Sequence, residues 1–584
     1  LGFLQVLRDQ LGVRCFLALT ATATAATARD VCQHLGIPED SRITAGSGVI
    51  PENLQLSVSV ERDRDEALLS LLRRDPFASM DSLLVFCTRR EDTERVAALI
   101  QSHFPGNPIP GNAKGGRALS PSQIPEIPII FGVISTILGI NSRIPGFNEI
   151  MRELTSQNYG NHFPKNYGID SQNKGFDPQN YGNMEAFVQH CGRAGRDGRA
   201  ARCHLLLEQE GRDLPELRRH IFGNTLEFWA LKKLLLEVFA PCRCRETLGK
   251  IRDGNSQKPL EKPLEKPPGR CRGHERALNM EETSERLDMS QEGIETLLCS
   301  LELLPRPPLR LLLPTLSRCR IRCPGGARQL RQGAQRCPPL AAFLARERQA
   351  GRDVGNSGSV EFDVVELSDS MGWESGLVKR ELRRLQWGER GGRSGIAVEF
   401  QGLSFHVVAR GDLAGPELDS LGQALLRGSR ARQREALRQL RACARAFRSV
   451  AFQGCEAEPP ERELESRSAR LKDIIREHFQ RDGPGAQREQ EEEEERMERE
   501  EEELGRERLR DWESCVRSDI RHLLAAHPEE KFSGRAIARI FHGIGSPRFP
   551  AEIYGRDRRF WRKHLQLDFH GLSRLATQEI LGNP

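Results

Sequence analysis

Two arginines lie three residues apart in the stretch Met184 to Arg199, which reads MEAFVQHCGRAGRDGR. Arg193 and Arg196 can point the same way from one helical turn. Each guanidinium is a planar fork of donors that suits a phosphate. Gly192 and Gly195 remove side chains that would crowd a ligand. The pattern favours two arginines that contact a nucleotide phosphate, and a solvated basic turn is the alternative from composition alone.

The residues that would hold such a phosphate are missing from the sequence. A phosphate loop reads G-x-x-x-x-G-K-[ST], and no such string occurs in this chain. GNAKGGR at 111–117 has no lysine followed by Ser or Thr after its final glycine. No acidic D-E-x-x box follows an apolar strand near residue 1. The arginines are thus present without a nucleotide cradle. Because the chain starts at Leu1, inside what resembles an apolar helix, we expect a fragment or an incomplete gene model.

Two pairs of cysteine and histidine residues could bind a metal ion. Cys242 and Cys244 form C-x-C, and Cys271 and His274 form C-x-x-H. Three cysteines and one histidine are a ligand set that suits tetrahedral zinc, although the spacing between the pairs is longer than in a usual zinc finger. The competing set is Cys319, Cys323 and Cys337, whose contexts are more typical of buried apolar thiols.

Strands alternate with helices in the first part of the chain. The strands are expected at 13–24, 54–60, 82–87 and 202–207, and the helices at about 25–35, 64–74 and 91–102. This alternation predicts a parallel sheet with helices on both faces. The pattern stops between about 105 and 183, where Pro, Gly and Asn dominate and QNYG-like repeats occur, so an irregular insertion or translated noncoding sequence is expected there.

A second globular region follows a Pro/Lys/Glu linker at 253–269. Its segment 360–408 shows two helices and then two short strands, the winged-helix order, and its basic helix at 377–387 is the one available to DNA. The alternative is that Leu377, Leu382 and Leu385 only pack a core. Both can hold because the basic side chains lie on the opposite face, namely Lys379, Arg380, Arg383 and Arg384.

The last part of the chain is basic and aromatic after an acidic run. Residues 531–574 contain ten Lys or Arg and three Asp or Glu, with aromatic residues between them. Aromatic rings beside arginines could stack on unpaired bases, and a small folded unit with an aromatic core is the alternative. The cations predicted to contact DNA are Arg558, Arg559, Arg562 and Lys563.

Bulk properties exclude few classes of function. The chain has 584 residues and a net charge of +5, so no global field selects a partner. Its 15 cysteines have no framework spacing, which favours a reducing compartment. No run of 18 apolar residues occurs, so no membrane partner is expected.

Several motifs together resemble the RecQ family of DNA helicases. QHCGRAGRDG at 189–198 is similar to helicase motif VI, ALTATAT at 18–24 to motif III, and LLVFCTRREDTERVA at 83–97 to motif IV. FAPCRCRE, IETLLCSLEL and EEKFSGRAIARIFHGIGSP resemble the Rothmund–Thomson-type branch of that family. One departure is FGVISTILGINSRIPGF at 131–147, which lacks the glycine-rich pattern of motif V.

The resemblance implies ATP-driven, 3′-to-5′ unwinding of DNA by two RecA-like lobes that close on Mg²⁺ and ATP. It makes Arg193 and Arg196 the catalytic arginines and Gln189 the glutamine of motif VI. It assigns Thr20 and Thr22 to coupling hydrolysis to lobe movement. It also implies a zinc ion and names its ligands as Cys242, Cys244, Cys271 and His274.

The expected fold class is multidomain α/β and α+β, with a mostly helical C-terminal region. The expected domains are a remnant of the first lobe at 1–48, the second lobe at 49–222 with the insertion at 105–183, a zinc and winged-helix module at 223–435, a helical charged spacer at 436–530 and a basic aromatic segment at 531–584.

Two functions from different classes follow. The first is part of an ATP-dependent DNA helicase in replication, recombination and repair, inactive as this fragment. The second is a non-catalytic DNA-binding or scaffold protein. Either protein would bind single-stranded and duplex or forked DNA, and replication and repair proteins are possible further partners. The expected location is the nucleus, with a cytoplasmic or mitochondrial pool as an option.

Overall fold

A computed structural model of the chain describes thirteen segments and four single residues, 37, 271, 496 and 503. The segments are 25–34, 50–79, 83–87, 90–104, 129–132, 184–209, 213–242, 273–304, 306–352, 354–387, 392–455, 459–480 and 505–582.

The strands of these segments are β1 Leu54–Glu61, β2 Leu83–Phe86, β3 Ile129–Gly132, β4 Ala201–Glu208, β5 His274–Asn279, β6 Leu309–Arg322, β7 Ser359–Asp363 and β8 Ala397–Ala409. The helices are α1 Ala25–His34, α2 Arg64–Leu72, α3 Arg90–His103, α4 Met184–Cys191, α5 Asp213–Gly223, α6 Phe228–Val238, α7 Met280–Leu287, α8 Gln291–Glu302, α9 Gly326–Arg336, α10 Pro338–Gln349, α11 Val364–Met371, α12 Ser375–Arg384, α13 Gly415–Ser449, α14 Glu461–Gln480, α15 Glu513–Ala526, α16 Gly534–His542, α17 Ala551–Tyr554 and α18 Phe569–Gly582.

The chain divides into two compact units. The unit formed by 16–221 and 435–488 contains two parallel strand pairs, β1 with β4 and β2 with β3. β1 and β4 pair in register from Leu54 opposite Ala201 to Glu61 opposite Glu208. The predicted parallel pairing of alternating strands and helices is therefore confirmed for these strands. The predicted strand at 13–24 lies outside the described residues, as does most of 105–183, from which β3 is described.

Residues beyond 435 complete the core of this unit. Leu54, Leu56 and Val58 of β1 pack with Leu471 and Ile475 of α14. The Leu56 amide donates to Ser468 Oγ at 2.9 Å. Phe452 extends the β1 edge, since its carbonyl accepts from Val60 N at 2.9 Å. The first part of the predicted spacer at 436–530 thus supplies side chains to a packed core. The predicted boundary at 435 lies inside α13, where the division between the two units also falls.

The other unit is built on an antiparallel sheet of order β5-β8-β6-β7. β6 and β8 are long enough to reach two cores, one with Leu309 and Val407 and one with Ile321 and Val398. β6 lies between β8 and β7, and its register shifts between Leu312 and Thr315, where Pro314 lacks the amide that a regular strand would donate. The two short strands expected at the end of 360–408 form the single strand β8.

Local signals in the sequence set the helix ends of this unit. Asp363 accepts from the amides of Val365 and Glu366 and so begins α11, and Gly372 ends it with φ +67°. Ser533 caps α16 in the same way, and Gly543 ends it with φ +69°. The C-terminal region is helical, as predicted. Among the described residues, no helix combines the length and the apolar composition that crossing a membrane requires.

Candidate functional site

The two arginines predicted to contact a phosphate lie in the loop between α4 and β4. Met184, Val188 and Cys191 of α4 are buried in the same core as β1, so the loop starts from a fixed helix end. Arg193 and Arg196 are both exposed, and Arg196 Nε donates to the Gly192 carbonyl at 3.2 Å. The loop therefore presents both guanidiniums at its surface instead of burying them against carboxylates.

Asn53, which the sequence analysis missed, holds this loop from the start of β1. Its Nδ2 donates to the Gly195 carbonyl at 2.9 Å and to the Arg199 carbonyl at 2.6 Å. Gly195 has φ +61°, and a Cβ there would lie 2.5 Å from Asn53 Nδ2. Asn53 and Gly195 thus fix the path of the loop together. An amide before an apolar strand is too common a pattern to have shown this role.

Two more residues of the motif flank the arginines. Gln189 is exposed on the last turn of α4. His190 stacks on Phe86 of β2 with ring centroids 4.5 Å apart. Burial, and then the neighbouring charge of Arg193, lower the pKa of His190 to about 4. His190 is therefore neutral near pH 7 and adds no charge beside the arginines.

Three of the four predicted metal ligands lie together in the other unit. The ligand atoms of Cys242, Cys271 and His274 are all within 4.8 Å of one another, and the two sulfurs are 3.7 Å apart. Zn–S bonds of about 2.3 Å at a tetrahedral angle separate two sulfurs by about 3.8 Å. The pair of thiols therefore fits tetrahedral coordination. Cys244 lies outside the described residues.

Neighbouring groups favour the ligand forms of this cluster. His274 Nδ1 hydrogen-bonds Asp369 Oδ2 at 2.9 Å, and Asp369 Oδ1 also accepts from the Glu275 amide at 2.9 Å. A carboxylate in this position sets the tautomer of a metal-binding imidazole. Burial raises the pKa of the Cys271 thiol, but hydrogen bonds from the Gly411 and Gly273 amides outweigh it, so the pKa is lowered and the thiolate favoured. Asp369, on α11, is a contact that no local pattern predicted.

The competing cysteines are core residues. Cys319, Cys323 and Cys337 are buried in one apolar cluster. Burial raises the pKa of Cys319 to about 12 and raises the pKa of the other two thiols as well. These thiols therefore stay protonated and pack as small apolar groups, as the sequence analysis favoured.

The basic helix α12 presents three of its four predicted DNA contacts. Arg380, Arg383 and Arg384 are exposed. Arg384 also pairs with Glu381 at 2.7 Å. Lys379 differs, because it is half-buried and its ammonium donates to Thr315 Oγ1. Burial lowers the pKa of Lys379. The exposed surface of α12 is thus formed by the arginines, and Lys379 is used inside the fold.

The apolar side of α12 also differs from one expectation. Leu382 and Leu385 are 0% and 4% exposed, whereas Leu377 is 47% exposed. Val378 in the same turn is 2% exposed and packs in the core, so Leu377 lies off the buried face of the helix and is not a core residue as the alternative interpretation assumed.

The C-terminal cations are partly engaged by neighbouring acids. Arg559 pairs with Asp557 at 2.7 Å, and Lys563 with Asp519 at 2.7 Å. Arg558 is exposed. Arg562 has φ +66°, and its side chain lies against Gly543. The positive surface of this segment is therefore smaller than its composition suggests.

Most aromatic residues of this segment are buried. Phe541 is fully buried, and Phe549, Phe560 and Tyr554 are 2%, 5% and 8% exposed. Phe532 stacks on Phe549 with centroids 4.9 Å apart. The interpretation that these four rings stack on unpaired bases is wrong for this structure, and the alternative of a folded unit with an aromatic core describes them. Trp561 is partly exposed. The predicted coupling residues Thr20 and Thr22 lie outside the described part of the chain.

Comparisons with known proteins agree with the motifs. The chain is 44% identical over 598 residues to the ATP-dependent DNA helicase Q4 of Homo sapiens, covering 99% of this chain and 48% of that protein. The chain is related to RecQ-type DNA helicases. The mouse (Mus musculus) helicase of the same name is 41% identical over 597 residues, covering 99% of this chain and 46% of that protein. The resemblance to the RecQ family is therefore confirmed.

A more distant relative shows how far the similarity extends. The ATP-dependent DNA helicase Q-like 5 of Arabidopsis thaliana is 26% identical over 588 residues, covering 98% of this chain and 54% of that protein. The chain thus spans about half the length of the curated RecQ-type relatives it matches. No protein-family model matches it.

Proposed function

We propose that the chain forms part of an ATP-dependent 3′-to-5′ DNA helicase that acts in replication, recombination and repair. Its curated relatives are named ATP-dependent DNA helicases. The observation that carries the proposal is the exposed pair Arg193 and Arg196 on a loop clamped by Asn53. A cation aimed at a nucleotide must be both exposed and held in place, and this loop meets both conditions.

The proposed role of the arginines is electrostatic. During phosphoryl transfer, negative charge spreads over the oxygens of the transferring group, and a positioned arginine stabilises it. Arg193 and Arg196 would contact the phosphates of a Mg²⁺-bound ATP that is held by a phosphate loop outside this sequence, and Gln189 would lie beside them. Thr20 and Thr22 would couple hydrolysis to movement between the two RecA-like lobes.

The test is substitution in a longer protein that joins this chain to a lobe with a phosphate loop. We expect Arg196→Ala to lower kcat for DNA-stimulated ATP hydrolysis by about 10³–10⁵-fold and to leave DNA affinity unchanged. Arg199→Ala is the matched control, because Arg199 is an exposed arginine of the same loop that pairs with Asp197 at 3.6 Å. Equal turnover in Arg196→Ala and wild type would remove the proposed role.

We further propose that residues 223–435 form a zinc-binding and winged-helix module. Cys242, Cys271 and His274, with Cys244, would hold Zn²⁺, and the ion would cross-link the end of α6 to the start of β5. The close approach of the two sulfurs and the Asp369 contact support this proposal. Metal analysis of the purified chain should give about one equivalent of zinc, lost in Cys271→Ser. Cys319→Ser is the control, and loss of zinc there instead would contradict the ligand assignment.

The runner-up function is a non-catalytic DNA-binding or scaffold protein. It is favoured by Arg380, Arg383 and Arg384, which are exposed together on α12 and need no nucleotide to bind a DNA backbone. The two functions can be distinguished in the longer protein that joins this chain to a lobe with a phosphate loop. DNA binding there without DNA-stimulated ATP hydrolysis would support the runner-up.

We also propose a nuclear location, with a cytoplasmic or mitochondrial pool, on the basis of the family resemblance. Imaging of the tagged protein would test it.

A further inference from the structure

We propose that a cavity between α6, the end of α7 and the segment at 531–549 binds single-stranded DNA, with a base stacked on Trp229 and a phosphate beside Lys233 and Lys531. The cavity has a volume of about 220 Å³. This proposal rests on the proposed DNA-binding function and adds a site that the motifs do not indicate.

Trp229 is the aromatic part of the site. It lies in the first turn of α6 and is 70% exposed, the most exposed tryptophan among the described residues. Lys232 Nζ lies 5.8 Å from its ring centroid. An exposed indole beside cations is a platform on which any base can stack, because every base has a π face. The buried aromatic residues of the C-terminal segment cannot serve this role.

The charges that line the cavity favour an anion. Five lining side chains are cationic and two are carboxylates. Both carboxylates are already engaged, since Glu227 and Asp288 each have an oxygen 3.8 Å from Arg535. Arg286 and Arg548 pair with Glu237 and Glu530, which are outside the lining. Lys233 and Lys531 are exposed and form no ion pair with the described residues, so they are the cations available to a phosphate.

The walls of the cavity are held together by buried arginines. Arg535 donates to the carbonyls of Thr225, Leu287 and Asp288 at 3.0–3.3 Å. Arg535 is 3% exposed, and its Nε has no hydrogen-bond partner. These bonds join three segments that are far apart in the sequence. The segments that carry Trp229, Lys233 and Lys531 are thus joined around one space through the backbone contacts of Arg535.

Single-stranded DNA fits these features better than other anions. An inorganic phosphate would use the lysines but not the indole, and an acidic peptide would not need an exposed aromatic ring. A single strand offers both a phosphate and an unpaired base within one nucleotide. Stacking on an aromatic side chain contributes about 1–3 kcal/mol per base, which corresponds to about 5–150-fold in affinity.

The experiment measures binding of a labelled oligo-dT to the full chain by fluorescence anisotropy. We expect Trp229→Ala to weaken binding about 5–150-fold and Trp229→Phe to restore most of it. Lys233→Gln and Lys531→Gln should each lower the slope of log K against log salt by about 1. Trp512→Ala is the matched control, because Trp512 is 55% exposed in the same unit and does not line the cavity. Thermal melting checks that each variant is folded.

The outcomes distinguish a failure of this site from a failure of the proposed DNA-binding function on which it rests. Wild-type affinity in Trp229→Ala, together with weaker binding when Arg380, Arg383 and Arg384 are changed, would overturn the site and leave DNA binding in place. If inorganic phosphate or an acidic peptide competes fully while Trp229→Ala has no effect, the cavity binds that anion and the proposal is wrong. A chain that binds no oligonucleotide at all would instead contradict the proposed function.

Discussion

Two pairs of arginines lie within similar short sequences, but one pair is exposed and the other is buried. GRAGR at 192–196 presents Arg193 and Arg196 to solvent, whereas GRAIAR at 534–539 buries Arg535 and Arg539. The second pair donates to the carbonyls of Gly223 and Thr225 and to Asp288. The first pair is attached to a loop that is itself held by Asn53. A G-R-A string therefore does not reveal whether an arginine binds a ligand or the protein's own backbone.

The difference has a physical cause in the glycine that precedes each pair. A Cβ on Gly534 would lie 2.1 Å from Thr577 Oγ1, so α16 packs directly against α18 and its arginines are enclosed. The Gly192 Cβ position meets only the α4 backbone, at 3.1 Å from the Val188 carbonyl. Close packing against another helix thus makes one basic motif a structural element. No other helix of the described segments lies within 4 Å of the Gly192 Cβ position, and Arg193 and Arg196 are exposed.

The largest expected effect is the loss of stability when a buried arginine is removed. Arg539→Ala should lower the free energy of unfolding by about 3–5 kcal/mol, because the Asp288 carboxylate and the carbonyls of Gly223, Thr225 and Asp288 lose a charged donor. Arg196→Ala should leave it nearly unchanged, since Arg196 is exposed. Urea denaturation of both variants measures the contrast. Equal stability of the two proteins would show that burial does not distinguish the pairs.

This contrast also shows what the sequence could predict. The exposed pair was found from spacing, since glycines around arginines favour a ligand, and the resemblance to motif VI agreed. Arg535 and Arg539 look like part of a basic surface, because the carbonyls that they bind lie near residues 223–225 and 287–288, some 250 to 310 positions away. Periodicity predicted β1, β4, α2 and α3 to within a few residues. It could not predict Asn53 or Asp369, whose roles depend on partners brought close only by folding.

The second prediction tests how the exposed loop is held. Alanine in the left-handed region costs about 1–2 kcal/mol, and this applies to Gly195→Ala and to Gly198→Ala, whose φ angles are +61° and +81°. Gly195→Ala should cost more, because its Cβ would also clash with Asn53, whereas no residue that the structure describes lies within 4 Å of a Cβ on Gly198. Thermal melts compare the two variants. A larger loss in Gly198→Ala would mean that Asn53 does not determine the loop conformation.

The third prediction concerns how stability depends on pH through His190, which lies on α4 just before the exposed loop. The pKa of His190 is lowered to about 4 in the folded state, below the value of about 6.5 in an unfolded chain. The unfolded state then binds more protons between these values. The stability from neutral His190 is therefore fully present above about pH 6.5 and is lost as pH falls towards 4.

Removing the neighbouring cation should weaken this effect slightly. Arg193→Gln should raise the pKa of His190 only slightly, because burial is the larger cause of its lowering and remains in this variant. An NMR titration of the His190 ring protons measures it, with Arg199→Gln as the control. An identical titration in Arg193→Gln would show that the Arg193 guanidinium lies too far away to act on the ring.

The smallest effect on free energy is expected for the salt dependence of DNA binding by α12. Exposed and half-buried cations can be compared here within one helix. Changing Arg380 or Arg383 to Gln should lower the slope of log K against log salt by about 1 each, because each is exposed and can replace a counterion on DNA. Lys379→Gln should leave that slope unchanged, because its ammonium is already bound to Thr315. Should Lys379→Gln lower the slope as much as Arg380→Gln, Lys379 must leave Thr315 in the complex. Burial in the free protein would then fail to separate structural from ligand-binding cations, and the distinction between the two arginine pairs would also need to be measured in the bound state.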